Sequence, residues 1–168
     1  MIYKSYVLEQ NINALNEEIT LFYGENLGLK NDLKAKIINN NKNSEILRYT
    51  QEDLIKDKRT LINEIENISL FQKSKIFFIE NVSDKLLELI QETESIISER
   101  KIFLFAEILD KKSKLRSYLE KSKKFACVPC YEDNEITIKK LINLKLKGYN
   151  GLTPNNINMI IEHTNFDR

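Results

Sequence analysis

Short apolar runs alternate with segments of helical spacing along most of the chain. Several runs are apolar throughout instead of at every second position, which is typical of strands in a parallel sheet covered on both faces. The runs are Ile19–Tyr23, Glu45–Thr50, Lys75–Val82, Ile102–Glu107 and Phe125–Tyr131. Helices that connect parallel strands form right-handed crossovers. The pattern therefore predicts an α/β domain with a five-stranded parallel sheet and helices on both faces.

The segments between these runs carry apolar residues on one helical face. Three such sets are Leu29, Leu33 and Ile37; Leu54, Leu61, Ile65 and Ile68; and Leu86, Leu89, Ile90, Thr93 and Ile97. Thr50 with Asp53 has the form of a capping box at the start of the second helix. Ser83 followed by Asp84 predicts the start of the third helix.

The pattern changes near residue 148. Gly148 and Gly151 favour the end of a helix and a turn. Thr153–Pro154 then has the form of an N-cap with proline at the first helical position. The apolar face of this last helix consists of Ile157, Ile160 and Ile161. We therefore assign residues 1–147 to the first domain and residues 148–168 to the truncated beginning of a second, helical domain.

Charge is balanced along the 168 residues, with 26 Lys and Arg against 25 Asp and Glu and a net charge of +1. A protein that binds DNA strongly by itself usually has a basic excess, so independent DNA binding is not expected. The sequence has no apolar run long enough for a membrane span and no secretory signal pattern. Two cysteines do not make a disulfide framework. We expect a cytoplasmic protein.

The segment after the first run resembles a phosphate-binding loop that has lost parts of its pattern. The working pattern is glycine, four residues, glycine, lysine, and serine or threonine. Counted from Gly24, Lys30 holds the lysine position, but the second glycine comes one residue early at Gly28. Asn31 replaces the hydroxyl that would hold magnesium, and Glu25 adds a negative charge where phosphates would bind. We interpret the loop as degenerate.

The end of the third run supports the same interpretation. A working site would have Asp-Glu there, whereas this chain has Glu80-Asn81. Asparagine has no carboxylate and is not a general base. We therefore expect no ATP hydrolysis, and we assign no catalytic residue, cofactor or metal ligand. Lys30 is interpreted as a solvated helix lysine and Glu80 as a carboxylate at a strand end.

Cys127 and Cys130 have the spacing of a redox pair. Such a pair usually opens a helix, whose N-terminus lowers the thiol pKa. Cys127 instead falls inside an apolar run, and the next helix is predicted to begin near Glu135, which favours two buried structural cysteines. A thiol oxidoreductase stays open as an alternative. With a single histidine, His163, which is predicted at the surface of the last helix, a metal site is not expected.

A basic cluster surrounds one predicted helix. It consists of Lys111, Lys112, Lys114, Arg116, Lys121, Lys123 and Lys124. The cluster is either a solvated face or a contact with a neighbouring subunit or with DNA phosphates.

A tight corner between the second helix and the third strand carries the segment Ile68-Ser69-Leu70-Phe71. Leu70 and Phe71 have two alternatives, since they either fold back into the core or stand out as an apolar contact for another protein. Large apolar groups at an element end with polar flanks favour the second alternative.

The chain resembles the delta subunit of the bacterial DNA polymerase III clamp loader. Ile68-Ser69-Leu70-Phe71 is similar to that family's clamp-contacting element, whose Leu-Phe pair enters a pocket on the sliding clamp. Similarity extends to three further segments. They are Leu21–Glu25 in the first strand and the turn after it, Leu109–Arg116 in the turn and helix after the fourth strand, and Val128–Tyr131 at the end of the fifth strand. Clamp-binding motifs often begin with Gln, and Glu66 stands near that position here.

The resemblance implies an AAA+-like domain followed by a helical lid, of which this chain looks like a fragment. It also implies a protein that binds the DNA polymerase sliding clamp through Ile68, Ser69, Leu70 and Phe71 and favours ring opening without hydrolysing ATP. The implied partners are the clamp and other clamp-loader subunits, with DNA reached only through the complex. The alternatives are a nucleotide-dependent P-loop enzyme with a degenerate site and a thiol oxidoreductase that uses Cys127 and Cys130.

Overall fold

A computed structural model of the chain describes residues 1–67, 74–97, 100–164, 166 and 168. Its centre is a five-stranded sheet in which every pairing is parallel, with the order β2-β3-β4-β1-β5. The strands are β1 Ile19–Tyr23, β2 Glu45–Thr50, β3 Lys75–Glu80, β4 Lys101–Phe105 and β5 Ala126–Pro129. The predicted five-stranded parallel sheet is confirmed.

Helices connect the strands in the order that the apolar spacing predicts. They are α1 Ser5–Gln10, α2 Leu27–Asn40, α3 Gln51–Lys56, α4 Lys58–Glu66, α5 Leu87–Thr93, α6 Lys114–Lys121, α7 Glu135–Lys145 and α8 Pro154–Thr164. The capping box at the start of α3 is confirmed, because Thr50 accepts from the N–H of Asp53 and the Asp53 carboxylate accepts from the N–H of Thr50.

The helix predicted across Leu54, Leu61 and Ile65 is instead two short helices, α3 and α4. The chain leaves helical geometry at Asp57, whose carboxylate accepts from the N–H of Arg59 and from the hydroxyl of Thr60. Asp57 thus ends α3 and caps α4. The apolar positions continue across the break, so the spacing alone resembles that of a single helix.

The third strand ends two residues earlier than predicted. Asn81 has a φ of 56°, in the left-handed region, which takes the chain out of the sheet after Glu80. The N–H of Val82 then donates to the carbonyl of Phe105, 3.0 Å away. This bend places the end of β3 beside the end of β4.

Apolar layers cover both faces of the sheet, as the continuously apolar strands predict. One layer packs the sheet against α3, α4, α5 and α6, and the other packs it against α1 and α2. Neighbouring residues of β1 divide between the layers, with Leu21 and Tyr23 in the first and Phe22 in the second. Phe22 stacks on Phe105 with ring centres 5.0 Å apart.

The two outer strands of the sheet differ in their surroundings. Along β5, the N–H of Cys127 donates to the carbonyl of Met1 and the N–H of Tyr3 donates to the carbonyl of Cys127, at 2.8 and 2.9 Å. Residues 1–3 therefore cover this edge. At the other side of the sheet, β2 has only half-buried and exposed residues.

Helices α7 and α8 form what we call the helical unit, which has an apolar cluster of its own. The buried members of this cluster are Ile138, Ile142, Ile157 and Ile161. Gly148 and Gly151 lie between the helices with φ of 98° and 90°, in line with the predicted turn. The domain boundary at residue 148 stays a prediction, although α7 packs against α8 across it.

Candidate functional site

The turn from β1 into α2 follows the degenerate phosphate loop, and we call residues 23–30 the α2 turn. Gly24 is required there because a Cβ atom would lie 2.2 Å from the carbonyl oxygen of Cys130. Asn26 caps α2, accepting at 2.8 Å from the N–H of Leu29. Its amide also donates to the carbonyl of Tyr131. The first turn of α2 is thus capped by the chain itself.

Lys30 does not extend into solvent, which corrects the interpretation of a solvated lysine. It is 5% exposed. Its ammonium donates to the carbonyl oxygens of Gly24 and Ala106, each 2.8 Å away. Burial lowers the pKa of Lys30. The lysine that reaches phosphates in a working loop therefore ties the end of β4 to the turn after β1.

Glu80 stands at the end of β3 as predicted, but it is paired. Lys34 contacts it at 2.7 Å, and the ammonium of Lys34 also lies 4.3 Å from the centre of the Phe105 ring. No motif in the sequence indicates Lys34. Its signal is a position four residues after Lys30, which places both lysines on the same side of α2.

Of the remaining loop positions, Glu25 and Asn31 are exposed and Gly28 faces a neighbour. That neighbour is Arg168, whose Cβ atom would lie 2.6 Å from a Cβ atom on Gly28. Arg168 also pairs with Asp133 at 2.5 Å. Burial alone would raise the pKa of Asp133, but hydrogen bonds from Arg168 and Asn26 lower it below its usual value. No sequence motif indicates this arginine.

The two cysteines are buried and not disulfide-bonded, which favours the structural interpretation. Burial raises the pKa of Cys127 to about 12 and that of Cys130 to about 12. A redox cysteine must be a thiolate near neutral pH and accessible to its substrate. The geometry therefore gives no support to a thiol oxidoreductase.

The basic cluster divides into two kinds of residue. Its six lysines are exposed: Lys111, Lys112, Lys114, Lys121, Lys123 and Lys124. Arg116 is different, because it donates to Glu120 and to the carbonyl of Leu109 and lies 4.5 Å from the centre of the Tyr23 ring. Tyr23 in turn donates to Glu120. Arg116 therefore belongs to the packing of α6 on β1 and is not part of the exposed basic cluster in which the sequence prediction placed it.

The predicted clamp-contacting residues Ile68, Ser69, Leu70 and Phe71 lie outside the described residues. The chain on both sides of them is anchored. Before them α4 ends at Glu66, and after them Lys75 opens β3 with its ammonium 2.7 Å from the carboxylate of Glu64.

His163 is exposed in the last turn of α8, as predicted. Across residues 1–67, 74–97 and 100–164, with 166 and 168, no three His, Cys, Asp or Glu side chains are grouped to hold a metal ion. The same residues contain no helix that is long and apolar enough to cross a membrane.

A parallel sheet in this strand order, with a phosphate-type turn after β1, defines the chain as an AAA+-like domain. The model of the family "DNA polymerase III, delta subunit" matches residues 21–130, more than half of the sequence. The chain belongs to this family, and the resemblance predicted from the sequence is confirmed. A search of curated protein sequences gives no match.

Solved structures agree on the fold. The DNA clamp loader delta protein of Bacillus subtilis matches with a TM-score of 0.63 and 14% identity, over 94% of this chain and 50% of that one. The Trip13 protein from Rhizobiales matches with a TM-score of 0.56 and 10% identity, over 95% of this chain and 66% of that one. The chain therefore spans about half the length of the Bacillus protein.

Proposed function

We propose that the chain acts in DNA polymerase III clamp loading, where it binds the sliding clamp and favours the open ring without hydrolysing ATP. One observation carries the proposal: a chain of the delta subunit family keeps the AAA+-like fold while its phosphate-site lysine is bound to two of its own carbonyls. A protein of this kind acts by binding and needs no reaction of its own.

Three features of the α2 turn support the absence of ATP hydrolysis. Lys30 is buried in the fold, so a phosphate would have to displace two hydrogen bonds to reach it. Lys34 pairs with Glu80, which stands at the strand end where a working site has its magnesium-binding aspartate. Asn31 offers no hydroxyl to a magnesium ion and Asn81 offers no general base.

The segment 68–71 supplies the proposed clamp contact. A closed ring opens when a partner binds its open form better than its closed form. Burial of Leu70 and Phe71 in a pocket of the clamp would contribute roughly 3–6 kcal/mol before the costs of association, at about 1.5–3 kcal/mol for each side chain. Only the part of this contact free energy that the open ring allows and the closed ring does not shifts the ring equilibrium, and each 1.4 kcal/mol of it is about a tenfold shift.

Other clamp-loader subunits and the clamp are the proposed partners, and the cytoplasm is the proposed location. DNA is reached through the complex, because the net charge of +1 does not favour independent binding. The exposed lysines around α6 are a proposed contact for a neighbouring subunit or for DNA within that complex.

The test is a binding titration of the chain against the sliding clamp of its own DNA polymerase III. We expect the Leu70→Ala, Phe71→Ala double variant to bind at least about a hundredfold more weakly, because the loss of roughly 3–6 kcal/mol exceeds the about 2.7 kcal/mol of a hundredfold change in Kd. A matched control is Leu144→Ala with Tyr149→Ala, since both side chains are exposed on or beside α7.

The control variant should bind like the unmodified chain, and circular dichroism should show that both variants are folded. Unchanged clamp affinity in the folded Leu70→Ala, Phe71→Ala variant would remove the proposed contact. Magnesium-dependent ATP turnover by the purified chain would contradict the proposed lack of hydrolysis, and it would do so independently of clamp binding.

A further inference from the structure

Arg168, four residues beyond the end of α8, lies against the first turn of α2. Its guanidinium donates two hydrogen bonds to the Asp133 carboxylate, with Nε 2.5 Å from Oδ2 and Nη2 2.8 Å from Oδ1. Nη1 also lies 2.5 Å from Glu9 and 3.6 Å from Asp32. The side chains of Arg168 and Asp133 are each only 5% exposed. The contact is a buried, bidentate ion pair, which is the arrangement that arginine favours with carboxylates.

The partners of Arg168 come from separate parts of the fold. Glu9 lies on α1, Asp32 lies on α2, and Asp133 lies in the connection between β5 and α7. The arginine follows α8, which packs on α7 through an apolar cluster separate from the two layers on the sheet. The contact therefore joins the helical unit to the sheet domain through charges.

Gly28 gives a second, independent sign that the contact is built into the fold. In the first turn of α2, alanine is ordinarily preferred to glycine. Here a Cβ atom would come within 2.6 Å of the Cβ atom and 3.3 Å of the carbonyl oxygen of Arg168. The missing side chain at Gly28 thus leaves the space in which the backbone of residue 168 sits.

We propose that Arg168 is an ionic latch that holds the helical unit against the start of α2, where a bound nucleotide would lie in a working phosphate loop. The position of the helical unit is then set by the chain itself and does not depend on nucleotide. The inference does not rest on clamp binding, so either proposal stands or fails without the other.

The position of the helical unit is measured by spin-label distances in the full chain. Labels are introduced at Met159→Cys on α8 and Lys121→Cys on α6, both exposed positions. Native Cys127 and Cys130 are buried, and burial raises the pKa of each thiol to about 12, so they react slowly with the label. The unmodified latch should give a single narrow distance peak, unchanged by magnesium and ATP.

Loss of the latch should abolish that single peak. We expect Arg168→Gln to broaden the distance distribution or to add a second population, and Arg59→Gln, at an exposed arginine on α4, to leave the peak as it was. A narrow, unshifted peak in folded Arg168→Gln overturns the latch. A shift of the peak in the unmodified chain on addition of magnesium and ATP overturns its independence of nucleotide.

Gly28 provides a measurement that does not depend on removing a charge. With Arg168 in place, Gly28→Ala should lower the urea midpoint of unfolding, because the added Cβ atom displaces residue 168. Arg168→Gly removes the Cβ atom 2.6 Å away and the side chain that holds the backbone of residue 168 against α2. In that background the same change should raise the midpoint, since the helix preference of alanine then dominates. Equal shifts of the same sign in both backgrounds would mean that residue 168 does not sit against α2, and the latch would be rejected.

Discussion

Lysine side chains at the α2 turn and around α6 have opposite surroundings. Lys30 is buried, and its ammonium donates to the carbonyls of Gly24 and Ala106. The six lysines around α6 are exposed. The same residue type therefore holds strand ends together at one place and supplies surface charge at the other. Composition counts both kinds alike, so the net charge of +1 describes neither region.

The largest expected effect comes from Lys30→Met, which replaces the buried lysine of the two kinds compared above. The carbonyls of Gly24 and Ala106 would lose their donor in a buried place, at a cost of about 1–3 kcal/mol for each unsatisfied group. We expect the free energy of unfolding to fall by about 3 kcal/mol in urea denaturation. Lys112→Met, at an exposed position, is the matched control and should change it by less than about 0.5 kcal/mol. Equal effects of the two variants would show that Lys30 is not held as described.

Arg116→Met tests the same contrast between packed and exposed basic residues within α6. It removes two charged hydrogen bonds, to Glu120 and to the carbonyl of Leu109, and a ring contact with Tyr23. A cost of about 2 kcal/mol is expected, because hydrogen bonds to charged groups contribute about 1.5–3 kcal/mol. Lys114→Met on the same helix should be close to neutral. The prediction fails if thermal denaturation ranks the two variants equally or in the reverse order.

Asp84→Ala should destabilise the chain by about 1 kcal/mol, since the Asp84 carboxylate adds to the Ser113 cap at the start of α6. It accepts from the N–H groups of Lys114 and Leu115 and from the hydroxyl of Ser113. These hydrogen bonds, with that of Ser113 first, hold the pKa of Asp84 below its usual value. A lowered pKa means that the contribution is complete above the unfolded-state pKa of about 3.9 and is lost as the pH falls through the folded-state value.

Urea denaturation at several pH values checks this sign. The difference between the unmodified chain and Asp84→Ala should be constant from neutral pH to about pH 5 and should shrink below about pH 4. A difference that grows on acidification would contradict the role of the ionised carboxylate as the cap.

The smallest effect is expected at the exposed lysines. Replacing Lys111, Lys112, Lys123 and Lys124 by alanine should each change the free energy of unfolding by less than about 0.5 kcal/mol. If these lysines contact DNA phosphates within the clamp-loading complex, the four changes together should lower the salt dependence of DNA binding by that complex. An unchanged salt dependence would favour a contact with a neighbouring subunit.

The sheet was predictable because its strands are continuous apolar runs with clear ends. The bounds of β1 and β2 agree with the sequence prediction, and Thr50 with Asp53 forms the predicted cap. These features depend on neighbours within a few residues. The end of β3 was placed two residues late although Asn81 is a local signal, since asparagine is enriched in the left-handed region and uncommon inside strands.

Long-range polar contacts were not predictable from spacing. Ser83 and Asp84 begin a helical turn, Asp84–Leu86, that leads into α5 as predicted. No spacing indicates that the Asp84 carboxylate also contacts the start of α6, 30 residues later. Lys30 looked solvated because one of its partners, Ala106, is 76 residues away. Arg168 and Asp133 meet only when the helical unit has packed. In each case the partner is brought close by the tertiary fold and not by the local sequence.

In the part of the chain that the structure describes, no strand pairs with the outer side of β2, and this edge can promote association between molecules. Unpaired N–H and C=O groups on an outer strand can extend a sheet into another chain, and charged side chains are a common protection. Residues 1–3 already shield β5, whereas β2 presents the exposed side chains of Glu45 and Arg48. Apolar replacements at these two positions should promote edge-to-edge aggregation at high concentration, even where the monomer is as stable as before.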